Sequence, residues 1–149
     1  MLITRLLTPL LATGILLSAP LSALAIAVYS SSGPNAASIQ GSVDGFRNDL
    51  GTNNGVGGSF TGGRREINWD GVPAGFSDPN NLPGNFFNSN SARGAVFETP
   101  GSAFRVSANS GSATPVRFGS INPSFPSSFS VFSSQKLFTA IDSNIVDVR

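Results

Sequence analysis

The residues able to do chemistry are few in this chain, and they are densest between Gly62 and Pro73, in the run Gly-Gly-Arg-Arg-Glu-Ile-Asn-Trp-Asp-Gly-Val-Pro. That run holds the carboxylates Glu66 and Asp70, the amide Asn68, the adjacent guanidiniums Arg64 and Arg65, and the only tryptophan, Trp69. Oxygen donors of this kind suit a hard cation such as calcium. Beside an aromatic ring they also suit a sugar, whose ring stacks on the indole while its hydroxyls take hydrogen bonds. Asp78 adds one more oxygen donor a few residues on. The candidate glycan or calcium contacts are thus Glu66, Asn68, Trp69, Asp70 and Asp78. The chain has no Asp-x-Asp-x-Asp-Gly loop, so calcium rests on residue type alone, and no other cofactor is expected. Trp69 has a competing and heavier reading, since it falls in phase with Ile67 and then belongs to the core.

Other chemistries are excluded by what is missing. The sequence has no cysteine and no histidine. Disulfides, thiolate nucleophiles, Ser-His-Asp triads and ordinary zinc centres are therefore unavailable. An enzyme would have to use tyrosine, a serine-lysine arrangement or paired carboxylates, the last as in glycoside hydrolysis, with Glu66, Asp70, Asp78 and Glu98 as candidates. Nothing in their spacing is diagnostic, and structural or solvated carboxylates are the simpler reading. A Ser-Lys dyad on Lys136, the only lysine, is one nucleophilic option. No catalytic residue is assigned. The glycine-rich stretch from Thr52 to Gly63 is no phosphate-binding P-loop either, because Arg-Arg-Glu follows it where Gly-Lys-Ser/Thr would open a helix.

The elements that must hold these residues read mostly as strands. Arg65, Ile67 and Trp69 alternate with Arg64, Glu66, Asn68 and Asp70, which predicts a strand between the turns Gly62-Gly63 and Asp70–Pro73. Upstream, Ile39, Val43, Phe46 and Leu50 recur at helical spacing, with Ser38 as cap and Gly51 just past the end, so a short amphipathic helix is predicted. Val72 to Asn90 reads as a long loop pinned by Phe76, Leu82, Phe86 and Phe87. Further strands are predicted over 93–98, 103–108 and 115–121, with a final hairpin of 136–141 and 145–149 around Asp142-Ser143-Asn144. Residues 26–149 contain twelve phenylalanines but just three leucines, which favours sheets over a helical bundle. The expected fold is mainly β, a single antiparallel β-sandwich of the jelly-roll or lectin-like kind over residues 36–149, with one short N-terminal helix. The last strand ends without a following turn or partner, so an incomplete domain is expected, self-associating through an open sheet edge.

Ahead of that domain, a weakly basic start from Met1 to Arg5 precedes an apolar run from Leu6 to Pro20, too short to span a bilayer comfortably. Ala23-Leu24-Ala25 then offers a small-x-small cleavage site. Residues 1–25 therefore read as a secretory signal peptide cut after Ala25, with Ala27 the alternative, and 26–35 as a flexible lead-in. Residues 26–149 carry eight basic and eight acidic residues. That balance gives no footprint for nucleic acid or, once the leader is gone, for membrane.

Three segments carry a resemblance: the run from Gly62 to Pro73, Asn-Leu-Pro-Gly-Asn-Phe-Phe-Asn from Asn81, and Arg-Gly-Ala-Val-Phe-Glu-Thr-Pro-Gly from Arg93. From about Ile39 to Arg149 the chain resembles a family of uncharacterised exported bacterial proteins, many of which end in a PEP-CTERM sorting tail. The resemblance implies a surface or matrix location in bacteria and brings no functional residues with it. The Pro-Glu-Pro motif, the hydrophobic tail and the basic terminus of that family are not present. The expected function is an exported, non-enzymatic protein of the cell surface or extracellular matrix that binds polysaccharide, with a secreted carbohydrate-active hydrolase as the alternative.

Overall fold

The computed structural model describes residues 27–132 and 135–149. The signal peptide read over residues 1–25 lies outside the described residues. Helix α1 spans Ala36–Leu50. Its cap is Asn35 rather than Ser38: the Asn35 side chain accepts from the Ser38 backbone N–H at 3.1 Å, which satisfies one of the donors a helix start leaves open. Gly51 ends it at φ 84°, a conformation other residues avoid. No residue of α1 is buried, and Phe46 and Leu50 remain 49% and 42% exposed. The helix is held instead by polar ties and by the lead-in, where Tyr29 sets its ring 5.9 Å from Phe46 and donates its hydroxyl to Asp49.

The sandwich expected from sequence is not what forms. Among the described residues there are four strands, β1 (Phe97–Glu98), β2 (Ala103–Val106), β3 (Phe138–Ile141) and β4 (Asp147–Val148). They make two separate two-stranded antiparallel sheets, β1 with β4 and β2 with β3. The pairings Phe97↔Val148 and Ala103↔Ile141 differ by one residue in register. The two sheets thus lie along a single interrupted ribbon, with the turn at Thr99–Ser102 set against residues 141–145 by Ser102 N–H to the Ile141 carbonyl and Thr99 Oγ1 to the Ile145 carbonyl. The expected terminal hairpin is replaced by this arrangement, since its two arms pair with β2 and β1 and not with each other.

The missing strands have local causes. Arg117 and Phe118 sit at φ 50° and 61°, and two consecutive left-handed residues cannot continue a strand, so 115–121 is a turn. Gly94 at φ 73° interrupts 93–98, so pairing starts only at Val96, which exchanges backbone hydrogen bonds with Arg149, and the strand proper is Phe97–Glu98. The predicted strand around Trp69 keeps one bridge, Asn53 to Arg64, and then winds into a short 3₁₀ turn at Trp69–Gly71. Asn68 caps that turn by accepting from the Asp70 N–H at 3.1 Å.

In place of the facing sheet of a sandwich there is an aromatic core. Val72, Leu82, Phe86, Phe87, Phe97, Phe104, Val106 and Ala140 form one buried cluster, with Ile67, Trp69, Phe76, Ala95 and Phe138 packed on it. Phe86 and Phe87 enter on the one-turn helix α2, Phe86–Ser89, so the 72–90 loop is pinned through its aromatic side chains. A second one-turn helix, α3, covers Phe125–Ser128.

Candidate functional site

The sequence-predicted site residues serve several internal networks. Trp69 lies nearly parallel to Phe138 at 4.4 Å between centroids, edge-on to Phe87 at 5.3 Å and tilted to Phe97 at 5.9 Å. Its ring is an aromatic bridge between the 3₁₀ turn and the ribbon. Asp70 accepts backbone N–H groups from Gln135 at 3.2 Å and Lys136 at 2.9 Å. Asp78 has a side chain only 1% exposed, where it accepts from Arg105 at 3.3 Å and from the Ser120 hydroxyl at 2.5 Å. Glu66 joins Arg64 at 2.8 Å and Arg47 at 2.9 Å, which ties α1 to the body. The Arg64 hydrogen bond, aided by the charges of Arg47 and Arg64 and opposed by partial burial, holds Glu66 below the usual carboxylate range. Glu98 pairs with Arg149 at 2.5 Å. Among the described residues, no three acidic side chains come together as a group that could hold a metal ion, and no helix is long and apolar enough to cross a membrane.

Lys136 is a buried cation. Its ammonium donates to the Val72 carbonyl and, at 2.9 Å, to the Ser77 hydroxyl. Burial pushes its pKa down, and the nearby Asp70 charge opposes that shift. Ser77 in turn donates to the Pro73 carbonyl at 3.1 Å. The Ser-Lys juxtaposition considered from sequence therefore exists, but both side chains are sealed from solvent, and the pair staples the 72–77 turn to the ribbon.

Two of the open concavities among the described residues contrast in character. One is an apolar groove of about 550 Å³ between α3 and β3, lined by Phe118, Ile121, Phe125, Phe129, Leu137 and Phe138 with Arg105 and Asp142 at its edges. Its polar edges are already engaged, Arg105 with Asp78 and Asn81, and Asp142 with the Ser102 hydroxyl. The other is a polar basin of about 530 Å³ walled by the 58–63 loop, Asn54, Arg64, Arg65 and Arg93. Here the glycine-rich segment has a definite shape. Gly57, Gly58 and Gly63 take φ of 74°, 70° and 85°, and a Cβ on Gly63 would come within 2.5 Å of the Thr52 carbonyl. Asn54 fixes the loop by donating to the Gly62 carbonyl at 2.7 Å.

The basin's arginines are clamped by neighbouring carbonyl oxygens. Arg65 spends Nη2 on the carbonyls of Gly57 and Gly58 at 2.8 and 2.6 Å. Arg93 gives Nε to the Glu66 carbonyl at 2.5 Å and Nη1 to Ser91. Arg64 uses Nε on Glu66 and Nη1 on the carbonyls of Arg47 and Gly51. Among the described residues, Arg64 Nη2, Arg93 Nη2 and both Nε and Nη1 of Arg65 donate to no protein group, and neither Arg65 nor Arg93 has a carboxylate partner. Phe60 stands beside them, 51% exposed, with the Arg65 guanidinium 5.1 Å from its ring centroid. Sequence reasoning found Arg64 and the glycines but not this basin, because Arg93 joins it through the Gly57 N–H to Ala92 carbonyl bond, across more than thirty residues. The adjacent pair Arg64-Arg65 closing a glycine-rich loop was the available signal.

No family model, no curated protein and no solved structure matches the chain.

Proposed function

We propose that the protein is an exported, non-enzymatic polysaccharide-binding protein of the bacterial surface or extracellular matrix. The observation that carries this reading is the 58–63 basin, where a half-exposed phenylalanine ring stands in a polar wall of Asn54, Ser59, Thr61 and three arginines. A sugar offers an apolar C–H face and a rim of hydroxyls, and such a ring with such donors meets both. The basin is open and shallow, a shape that accepts an internal stretch of a long chain. Binding is favoured over hydrolysis because the carboxylates that would act as acid and base are already engaged. Glu66 is held ionised by two arginines and is a poor proton donor at neutral pH. Export rests on the leader-like residues 1–25.

A glycan array probed with the chain in the presence and absence of calcium, run beside a panel of glycosidase substrates, tests the reading. Binding without turnover supports it. Turnover that disappears in Glu66→Gln or Glu98→Gln would replace it with the hydrolase reading, and a blank array would overturn it.

A further inference from the structure

We infer that the basin recognises an oxyanion on the saccharide, a uronate carboxylate or a sulfate ester, held by Arg64, Arg65 and Arg93. The inference rests on the polysaccharide reading above and narrows it to acidic glycans. Three guanidiniums line one small concavity while a single carboxylate, Glu66, is paired with any of them, and Glu66 is shared with Arg47. The concavity therefore carries uncompensated positive charge in a chain whose residues 26–149 are balanced overall. Each guanidinium is oriented by carbonyl oxygens and keeps further N–H donors that no protein group takes, so little side-chain freedom is lost when an anion arrives. Charge-assisted N–H to oxyanion bonds are the strong members of their class, and a fork of fixed donors matches carboxylate and sulfate alike. The loop adds capacity: among the described residues, the backbone N–H groups of Ser59 through Gly63 make no hydrogen bond to protein. A nucleic acid is disfavoured, because its affinity comes from cations spread along many phosphates, and these are confined to one basin.

The test is calorimetric titration of the full chain with an oligogalacturonate, its methyl ester, a sulfated dextran oligomer, neutral dextran oligomer, inorganic sulfate and single-stranded DNA. The charged saccharides are expected to bind at least about tenfold tighter than the ester and neutral dextran. Whichever of the carboxylated and sulfated oligomers binds tighter identifies the source of the oxyanion. Arg93→Gln should remove that preference. Because the arginines also brace the loop, the second variant is Thr61→Glu, which places a carboxylate on the exposed wall and leaves every clamp intact. It should weaken binding of the acidic oligomers at least about tenfold more than binding of the neutral ones. Equal binding of acid and ester, or a Thr61→Glu variant that still binds the acidic oligomer at full strength, overturns the anion inference and leaves the glycan reading standing. Failure of every saccharide overturns both. Inorganic sulfate or DNA binding as tightly as the best saccharide would reassign the basin to a bare anion or to nucleic acid.

Discussion

Replacing Trp69 by alanine separates its structural role from a ligand-stacking role. The ring is partly buried and meets Phe138, Phe87 and Phe97 at 4.4, 5.3 and 5.9 Å. Removing a fully buried tryptophan costs about 3–5 kcal/mol, and ring pairs contribute about 0.5–1.5 kcal/mol each beyond area burial. With the residue only partly buried, the lower end applies, about 3 kcal/mol. In a domain of this size each kcal/mol moves the midpoint by about 3–5 °C, so the melt should fall by about 9–15 °C. Trp69→Phe keeps an aromatic contact with Phe138 and should lose about half as much. Thermal melts followed by near-ultraviolet circular dichroism measure both, and glycan titration below the lowered midpoint shows whether binding persists. A melt unchanged in Trp69→Ala together with lost glycan binding would refute the core assignment and return the indole to the site.

Other outcomes follow from the same contacts. Arg105→Ala leaves the buried Asp78 carboxylate with Ser120 alone, and urea unfolding should show a loss of about 3 kcal/mol, whereas a loss below 1 would mean that the pair is solvated. Gly63→Ala forces a side chain into the left-handed region and against the Thr52 carbonyl, so it should lower the melting midpoint and weaken glycan binding together. The pH dependence has two limbs with the same sign. Glu66 has a folded pKa below its ordinary 4.5, so its contribution is complete above 4.5 and is lost as pH falls through the folded value. Lys136 has a folded pKa below its ordinary 10.5, so charging it in the core penalises the fold at lower pH, and stability rises as pH climbs from the folded value toward 10.5. Melts across the pH range should therefore show an acid limb flattened by Glu66→Gln and an alkaline rise flattened by Lys136→Met.

How far the sequence led depends on how local the cause was. The spacing of Ile39, Val43, Phe46 and Leu50 located α1 because a helix is written in its own residues, with Gly51 marking the end. The alternation of Phe104, Val106 and Ala108 located β2 and its buried face for the same reason. The sandwich failed where strand identity depended on distant partners and on backbone angles. Val116 and Phe118 alternate like a strand, yet Arg117 and Phe118 adopt positive φ, which no apolar pattern reveals. Trp69 and Ile67 do share the core side as their phase suggested, without a strand to carry them. Of the proposed contacts, Glu66, Asn68, Trp69, Asp70 and Asp78 were legible as polar or aromatic groups, but which of them would be consumed by internal partners was not. Asp70 meets residues 135 and 136, and Asp78 meets Arg105 and Ser120, across separations that only the folded chain closes.

The most direct test of the central claim, that saccharide is bound in the 58–63 basin, is amide chemical-shift mapping of the isotopically labelled chain titrated with the tightest-binding oligosaccharide from the array. Saturable shifts concentrated at Asn54, Ser59 to Arg65 and Arg93, with the apolar groove around Phe125 and Phe129 unmoved, are the predicted result. Shifts confined to that groove or to the surroundings of Trp69, with the basin silent, would contradict it.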